Sequence, residues 1–213
     1  MDRPPPESLI LVSRDPNGVA TITINRPKSL NSLTKAMMTR MAHEIKALGL
    51  DDSVHVIILC GTGRAFCSGV DLTAAEDVFK GDVKDVESDP VAQMERCKKP
   101  IIGAINGFAV TAGFEIALAC DILVAAKGAK FLDTHARFGI FPSWGLSQKL
   151  PRIIGPGRAR EASLTAMPIT AEQAEKWGLE RAHEYYNGMT KDQFRKMQEF
   201  IAGRSAKKPS SKL

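Results

Sequence analysis

The sequence predicts an α/β fold built as one domain. Three observations carry this expectation. Apolar runs of strand length recur at Val19 to Ile24, Val54 to Cys60, Ile101 to Ile105 and Ile122 to Ala126. Between the first two, Leu33, Met37, Met41, Ile45 and Leu48 recur at helical spacing. The chain has 213 residues, 44% of them hydrophobic, which is enough to bury a core.

In order, Met1 to Glu7 contains three consecutive prolines and is expected to be loose. Leu9 to Val12 and Val19 to Ile24 read as strands around an Asp15-Pro16-Asn17-Gly18 turn. An amphipathic helix follows, its methionines facing the core. Val54 to Cys60 is a buried strand that opens into the small-residue loop from Gly61 to Leu72. Without Gly-Lys-Ser/Thr, that loop is not a P-loop, but such a turn can aim backbone N–H groups at an acceptor. Asp71 is placed to cap the next helix. Lys80 to Pro90 is polar and acidic and reads as a mobile loop, with a short helix from Val91 to Cys97. Leu146 to Ile153, Ala159 to Ala166 and Ala171 to Trp177 read as helices, the last capped by Thr170. A final helix is expected from Lys191 to Ala202.

The centre of the chain is Pro100 to Asp121, PIIGAINGFAVTAGFEIALACD. A strand meets the Asn106-Gly107 turn, and a helix apolar almost all round starts near Phe114. Glu115 is the only charge before Asp121. Its surroundings are too apolar for a solvated face, so it reads as a functional carboxylate rather than a helix-start residue.

NGFAVTAGFEIALACD resembles the signature of the enoyl-CoA hydratase/isomerase (crotonase) family. NRPKSLNSL and GRAFCSGVDL match further family segments in the same order, and the resemblance runs from about Leu9 to Leu179. It implies a crotonase-like spiral of ββα units with a helical C-terminal part. It also implies chemistry on an acyl-CoA thioester through an enolate, with no other cofactor and no metal. Backbone N–H groups of Val70 and Ala112 would form the oxyanion hole. Ser68, Gly69, Asp71, Leu72 and Gly113 flank those donors and count as substrate-binding candidates. Lys28 and Ser29 are candidate contacts to the CoA nucleotide; a solvated loop lysine is the alternative for Lys28. The resemblance further implies a homo-oligomer, trimer or hexamer.

The chain departs from the family at three places. Family hydratases carry a second catalytic glutamate where this sequence has His135. Some family isomerases carry an acidic residue where it has Ser143. Glu115 is thus the one family carboxylate present, and His135 is either an acid/base partner or a structural histidine bonded to the loop backbone. After Leu179 the match breaks, which reads as an internal deletion: residues 1–179 form the core, and 180–213 hold residual helices and a tail. Hydration is the reading the resemblance favours. Isomerisation through Glu115 alone, or a non-catalytic shortened form, are the alternatives.

Composition narrows the rest. The net charge is +5, and residues 191–213, with seven Lys/Arg and two Asp/Glu, account for all of it. The remainder is balanced, which argues against a nucleic-acid-binding domain. No apolar run is long enough to span a bilayer. Cys60, Cys67, Cys97 and Cys120 lack a Cys-x-x-Cys spacing and read as reduced thiols. The sequence ends in Ser211-Lys212-Leu213, a peroxisomal import signal read by a receptor. A reporter fused ahead of this tail is expected to become punctate in peroxisomes and to return to the cytosol when Leu213 is removed. A diffuse signal with the tail intact refutes that address.

Overall fold

The computed structural model describes residues 9–74 and 85–179. β1 (Ile10–Arg14) and β2 (Val19–Ile24) form an antiparallel hairpin. Helix α1 (Lys35–Leu50) carries the chain back, so that β3 (Val56–Gly61) lies parallel to β2. Three units then repeat a strand of the large sheet, a short strand of a second sheet, and a helix. The first is β3, β4 (Ala65–Cys67) and α2 (Pro90–Arg96). The second is β5 (Ile101–Ile105), β6 (Phe108–Val110) and α3 (Ala112–Leu118). The third is β7 (Ile122–Ala125), β8 (Lys130–Leu132) and α4 (His135–Phe138). Helices α5 (Leu146–Ile154) and α6 (Pro156–Thr165), strand β9 (Ile169–Thr170) and helix α7 (Ala171–Lys176) complete the described chain.

The large sheet has the order β1-β2-β3-β5-β7 and the second β4-β6-β8-β9. This is the expected spiral of ββα units. The second sheet was not legible in the sequence, because strands of three residues are too short to show a period.

Both faces of the large sheet are covered. In β3, Ile57 and Leu59 join the main core, while Val56, Ile58 and Cys60 form a second cluster with Val19, Ile102, Ala104 and Val124. This is the period-2 alternation of a strand buried on both sides. On α1, Met37, Met38, Met41, Ala42, Ile45 and Leu48 are buried, as the spacing predicts. Thr34 caps the helix by accepting the Met37 N–H. Phe114 and Phe131 pack with centroids 5.3 Å apart, fastening α3 to β8.

Several boundaries move. The first strand runs to Arg14 because it pairs with β2 down to Ala20. Helix α3 begins at Ala112, since Thr111 turns the chain there. The expected loop from Lys80 ends earlier than Pro90: Asp89 caps α2 by accepting the Val91 and Ala92 N–H groups. The part of that loop over 80–84, the expected helix over 191–202 and Ser211 to Leu213 lie outside the described residues.

One residue joins the loops that frame the site. Asn31 is fully buried in a left-handed backbone conformation (φ 59°). Its side chain accepts the Arg26 N–H at 2.8 Å and donates to the carbonyls of Thr62 (3.0 Å) and Ala65 (2.7 Å). Asn31→Ala strands three backbone groups and leaves an alanine at positive φ. It is expected to destabilise the fold by about 2–3 kcal/mol. An unchanged urea midpoint would show that those groups find other partners.

Candidate active site

The strand extension after β4 sets the first amide. Leu33 donates to the Gly69 carbonyl and accepts from the Asp71 N–H, each at 2.8 Å, in a parallel bridge with Val70. With Gly69 and Asp71 turned toward Leu33, the Val70 N–H points the other way, as alternate groups on an extended chain must. That side faces the β6–α3 junction. A Cβ on Gly69 (φ +103°) would sit 3.2 Å from the Val110 carbonyl oxygen and 3.9 Å from the Ala112 nitrogen. The two proposed oxyanion donors therefore lie on adjoining segments. The Ala112 N–H opens α3 and has no acceptor within the helix. Thr111 bends the chain into it at φ 53°, ψ −111°, a strained conformation for a non-glycine residue.

The flanking candidates divide by role. Gly113 is a packing residue: a Cβ there would stand 2.3 Å from the Cys67 carbonyl oxygen. Asp71 ion-pairs with Arg26 and accepts both the N–H and the hydroxyl of Thr73. The bond from Thr73, helped by Arg26, lowers the Asp71 pKa despite partial burial. Asp71 thus caps the short turn Leu72–Ala74, as expected, and its carboxylate is already engaged. Ser68 ties two loops together, donating its N–H to the Leu30 carbonyl and its hydroxyl to that of Ser29. Leu72 is exposed. Lys28 is exposed and Ser29 half-buried on the turn Pro27–Ser29.

Glu115 and His135 come together. Glu115 is 1% exposed. Its Oε1 accepts the backbone N–H of Trp144 at 2.8 Å and of Leu146 at 3.3 Å. Its Oε2 lies 3.5 Å from His135 Nε2. His135 Nδ1 is 2.6 Å from Asp133 Oδ1, which also accepts the His135 backbone N–H at 3.1 Å. The ring partners of His135 are thus two carboxylates, not backbone groups. Burial works against charge on His135, but its hydrogen bonds to Asp133 and Glu115 outweigh that and raise its pKa to about 9.

Asp133, Trp144, Leu146 and Asp89 escaped the sequence reading. Trp144 donates its indole N–H to Asp89 at 2.9 Å, fixing the loop that holds Glu115. The one available signal was Asp133-x-His135, a spacing at which an Asp side chain reaches the backbone two residues on. Among the described residues, no group of three His, Cys, Asp or Glu side chains is disposed to hold a metal ion. No described helix is long and apolar enough to cross a membrane.

Residues 14–200 match the family model described as enoyl-CoA hydratase/isomerase. The chain is 58% identical to a probable peroxisomal enoyl-CoA hydratase 1 of Arabidopsis thaliana, with all of both chains covered. That alignment spans 265 residues against the 213 here, so part of the relative has no counterpart in this chain. It is 35% identical to a 1,2-epoxyphenylacetyl-CoA isomerase of Escherichia coli, over 79% of this chain and 67% of that one. A crystal structure of an enoyl-CoA hydratase from Mycobacterium avium superposes with TM-score 0.77 at 36% identity, covering 94% of this chain and 81% of the other.

The raised His135 pKa makes a pH-dependent contribution to stability. A group whose folded pKa exceeds its unfolded value, here 6.5, stabilises fully below that value and loses the contribution as pH rises through about 9. The stability difference between wild type and His135→Gln is therefore expected to shrink from pH 6.5 upward. A difference that stays flat to above pH 9 in chemical denaturation refutes the charged pairing.

Proposed function

The chain belongs to the enoyl-CoA hydratase/isomerase family, and from that premise we propose that it adds water to a 2-enoyl-CoA thioester. The observation that carries this reading is the pairing of Glu115 Oε2 with His135 Nε2 at 3.5 Å, both side chains buried, with Glu115 on the helix that the Ala112 amide opens. Hydration is easiest with two acid/base groups, and here a histidine stands as the second. Isomerisation through Glu115 alone leaves His135 without a role.

In this mechanism the Val70 and Ala112 N–H groups hold the thioester oxygen as negative charge develops there. Each such donor contributes about 2.7–4 kcal/mol to the transition state. Ala112 and Glu115 are three residues apart on α3, about 4.5 Å along its axis, so the carboxylate reaches the carbons next to the thioester. Glu115 Oε1 is occupied by two amides, which leaves Oε2 to take a proton from water. The hydroxide oxygen bonds C3, and the double-bond pair moves into the enolate. His135 then gives its Nε2 proton to C2. Glu115 returns the proton it took to Nε2, and the net change is addition of one water.

Lys28 and Ser29 are proposed to meet the CoA nucleotide. Further copies of the chain are proposed to assemble as a trimer or hexamer. Exposed Phe138, Phe141, Leu164 and Met167 support such assembly among the described residues. We place the protein in the peroxisome, the compartment in the name of its 58%-identical relative, with Ser211, Lys212 and Leu213 as the segment an import receptor reads.

Glu115→Gln keeps an oxygen for the Trp144 and Leu146 amides and removes the base. It is expected to lower hydration of 2-enoyl-CoA by at least about a hundredfold, with acyl-CoA affinity within twofold of wild type by calorimetry. Equal turnover of both proteins on 2-enoyl-CoA would remove Glu115 as the base, and no turnover by wild type on 2-enoyl- or 3-enoyl-CoA would leave a binding protein, not an enzyme.

A further inference from the structure

We propose that Asp133 is a positioning residue for this reaction, holding the His135 ring so that Nδ1–H stays on its carboxylate and Nε2 alone exchanges a proton beside Glu115. The inference rests on the hydratase reading above. An ionised carboxylate only accepts hydrogen bonds, so the 2.6 Å contact places a proton on Nδ1. Asp133 is 2% exposed, and the same Oδ1 takes the His135 backbone N–H. Ser163 on α6 bonds the Asp133 carboxylate as well. The charged groups facing the His135 ring are Asp133, from the turn after β8, and Glu115, from α3. Between Asp133 and His135, the Thr134 hydroxyl bonds that of Thr111. The turn carrying the dyad is thus tied to the junction that supplies the Ala112 amide.

The arrangement has a chemical consequence. When Nε2 gives its proton to C2, two neutral tautomers of the ring compete. With Nδ1–H retained by Asp133, the lone pair falls on Nε2, the atom that faces Glu115. That atom is then ready for the proton Glu115 took from water, and the site resets without the ring turning over. Without the carboxylate, the other tautomer presents N–H to a protonated Glu115, and the return transfer is blocked.

Five full-length proteins test this: wild type, Asp133→Asn, Asp133→Glu, His135→Gln and the double variant Asp133→Asn with His135→Gln. Asp133→Asn is expected to lower kcat for 2-enoyl-CoA hydration at least tenfold with KM within twofold. The alkaline limb of its kcat–pH profile is expected to move to lower pH, because a carboxylate that favours the protonated ring has gone. Asp133→Glu restores part of kcat. The double variant is expected to be no slower than His135→Gln alone. A lower melting temperature with kcat and pH profile unchanged, or effects that multiply in the double variant, would overturn the proposal. The ring is read independently by NMR of the ligand-free protein: a downfield Nδ1–H resonance in wild type that is lost in Asp133→Asn supports the tautomer, and its absence from wild type overturns it. A wild type that fails to hydrate 2-enoyl-CoA yet keeps this resonance would count against the hydratase reading and for the positioning.

Discussion

The site depends on burying one carboxylate without stranding it. An unpaired charge in an apolar interior is costly enough that the side chain would neutralise or the fold would yield. Glu115 avoids this because two backbone N–H groups, from Trp144 and Leu146, converge on Oε1. Those amides belong to the segment leading into α5, so the loop after α4 must close over α3 for the charge to be tolerated. Trp144 holds that loop down through Asp89, the cap of α2. Three separate elements are therefore committed to satisfying a single oxygen. The other oxygen is left facing His135.

A second constraint sits on the opposite side of the site. The Val70 amide is useful only if its segment is held extended, and the bridge to Leu33 does this. The loop bearing Leu33 is in turn fixed by Asn31 and Arg26. Asn31 ties it to Thr62 and Ala65 at the β3–β4 connection, and Arg26 ties it to Ser32 and Asp71. Here the carboxylate of Asp71 is engaged by Arg26 and Thr73. Its charge neutralises an arginine and caps a turn, and both tasks serve to aim a neighbouring amide.

The two halves meet at Thr111. Its positive φ is energetically unfavourable, and such strain persists only where the surroundings over-determine it. Its N–H bonds the Leu132 carbonyl, its hydroxyl bonds Thr134, and α3 starts at the next residue. One strained residue thereby sets the direction of the Ala112 amide and the seat of the Asp133–His135 turn together.

The sequence by itself determined the elements whose signal is local. Period-2 alternation marks β2, helical spacing marks α1, and a lone charge in an apolar stretch marks Glu115. The ordered motifs named the family, because they lie on contiguous backbone, and the resemblance pointed from them to the amides of Val70 and Ala112. It did not reveal the second sheet, whose strands of three residues carry no period. Nor did it reveal Asn31, an unremarkable polar residue until its three partners are brought to it from elsewhere in the chain. His135 stood out only as a departure from the family pattern, and its role stayed open between catalysis and structure. Tertiary structure alone decided that the ring lies between Asp133 and Glu115. The physical reason is that a histidine's charge and tautomer are set by the groups that face it in space, and those groups come from separate elements, Glu115 from α3 and Asp133 from the turn after β8.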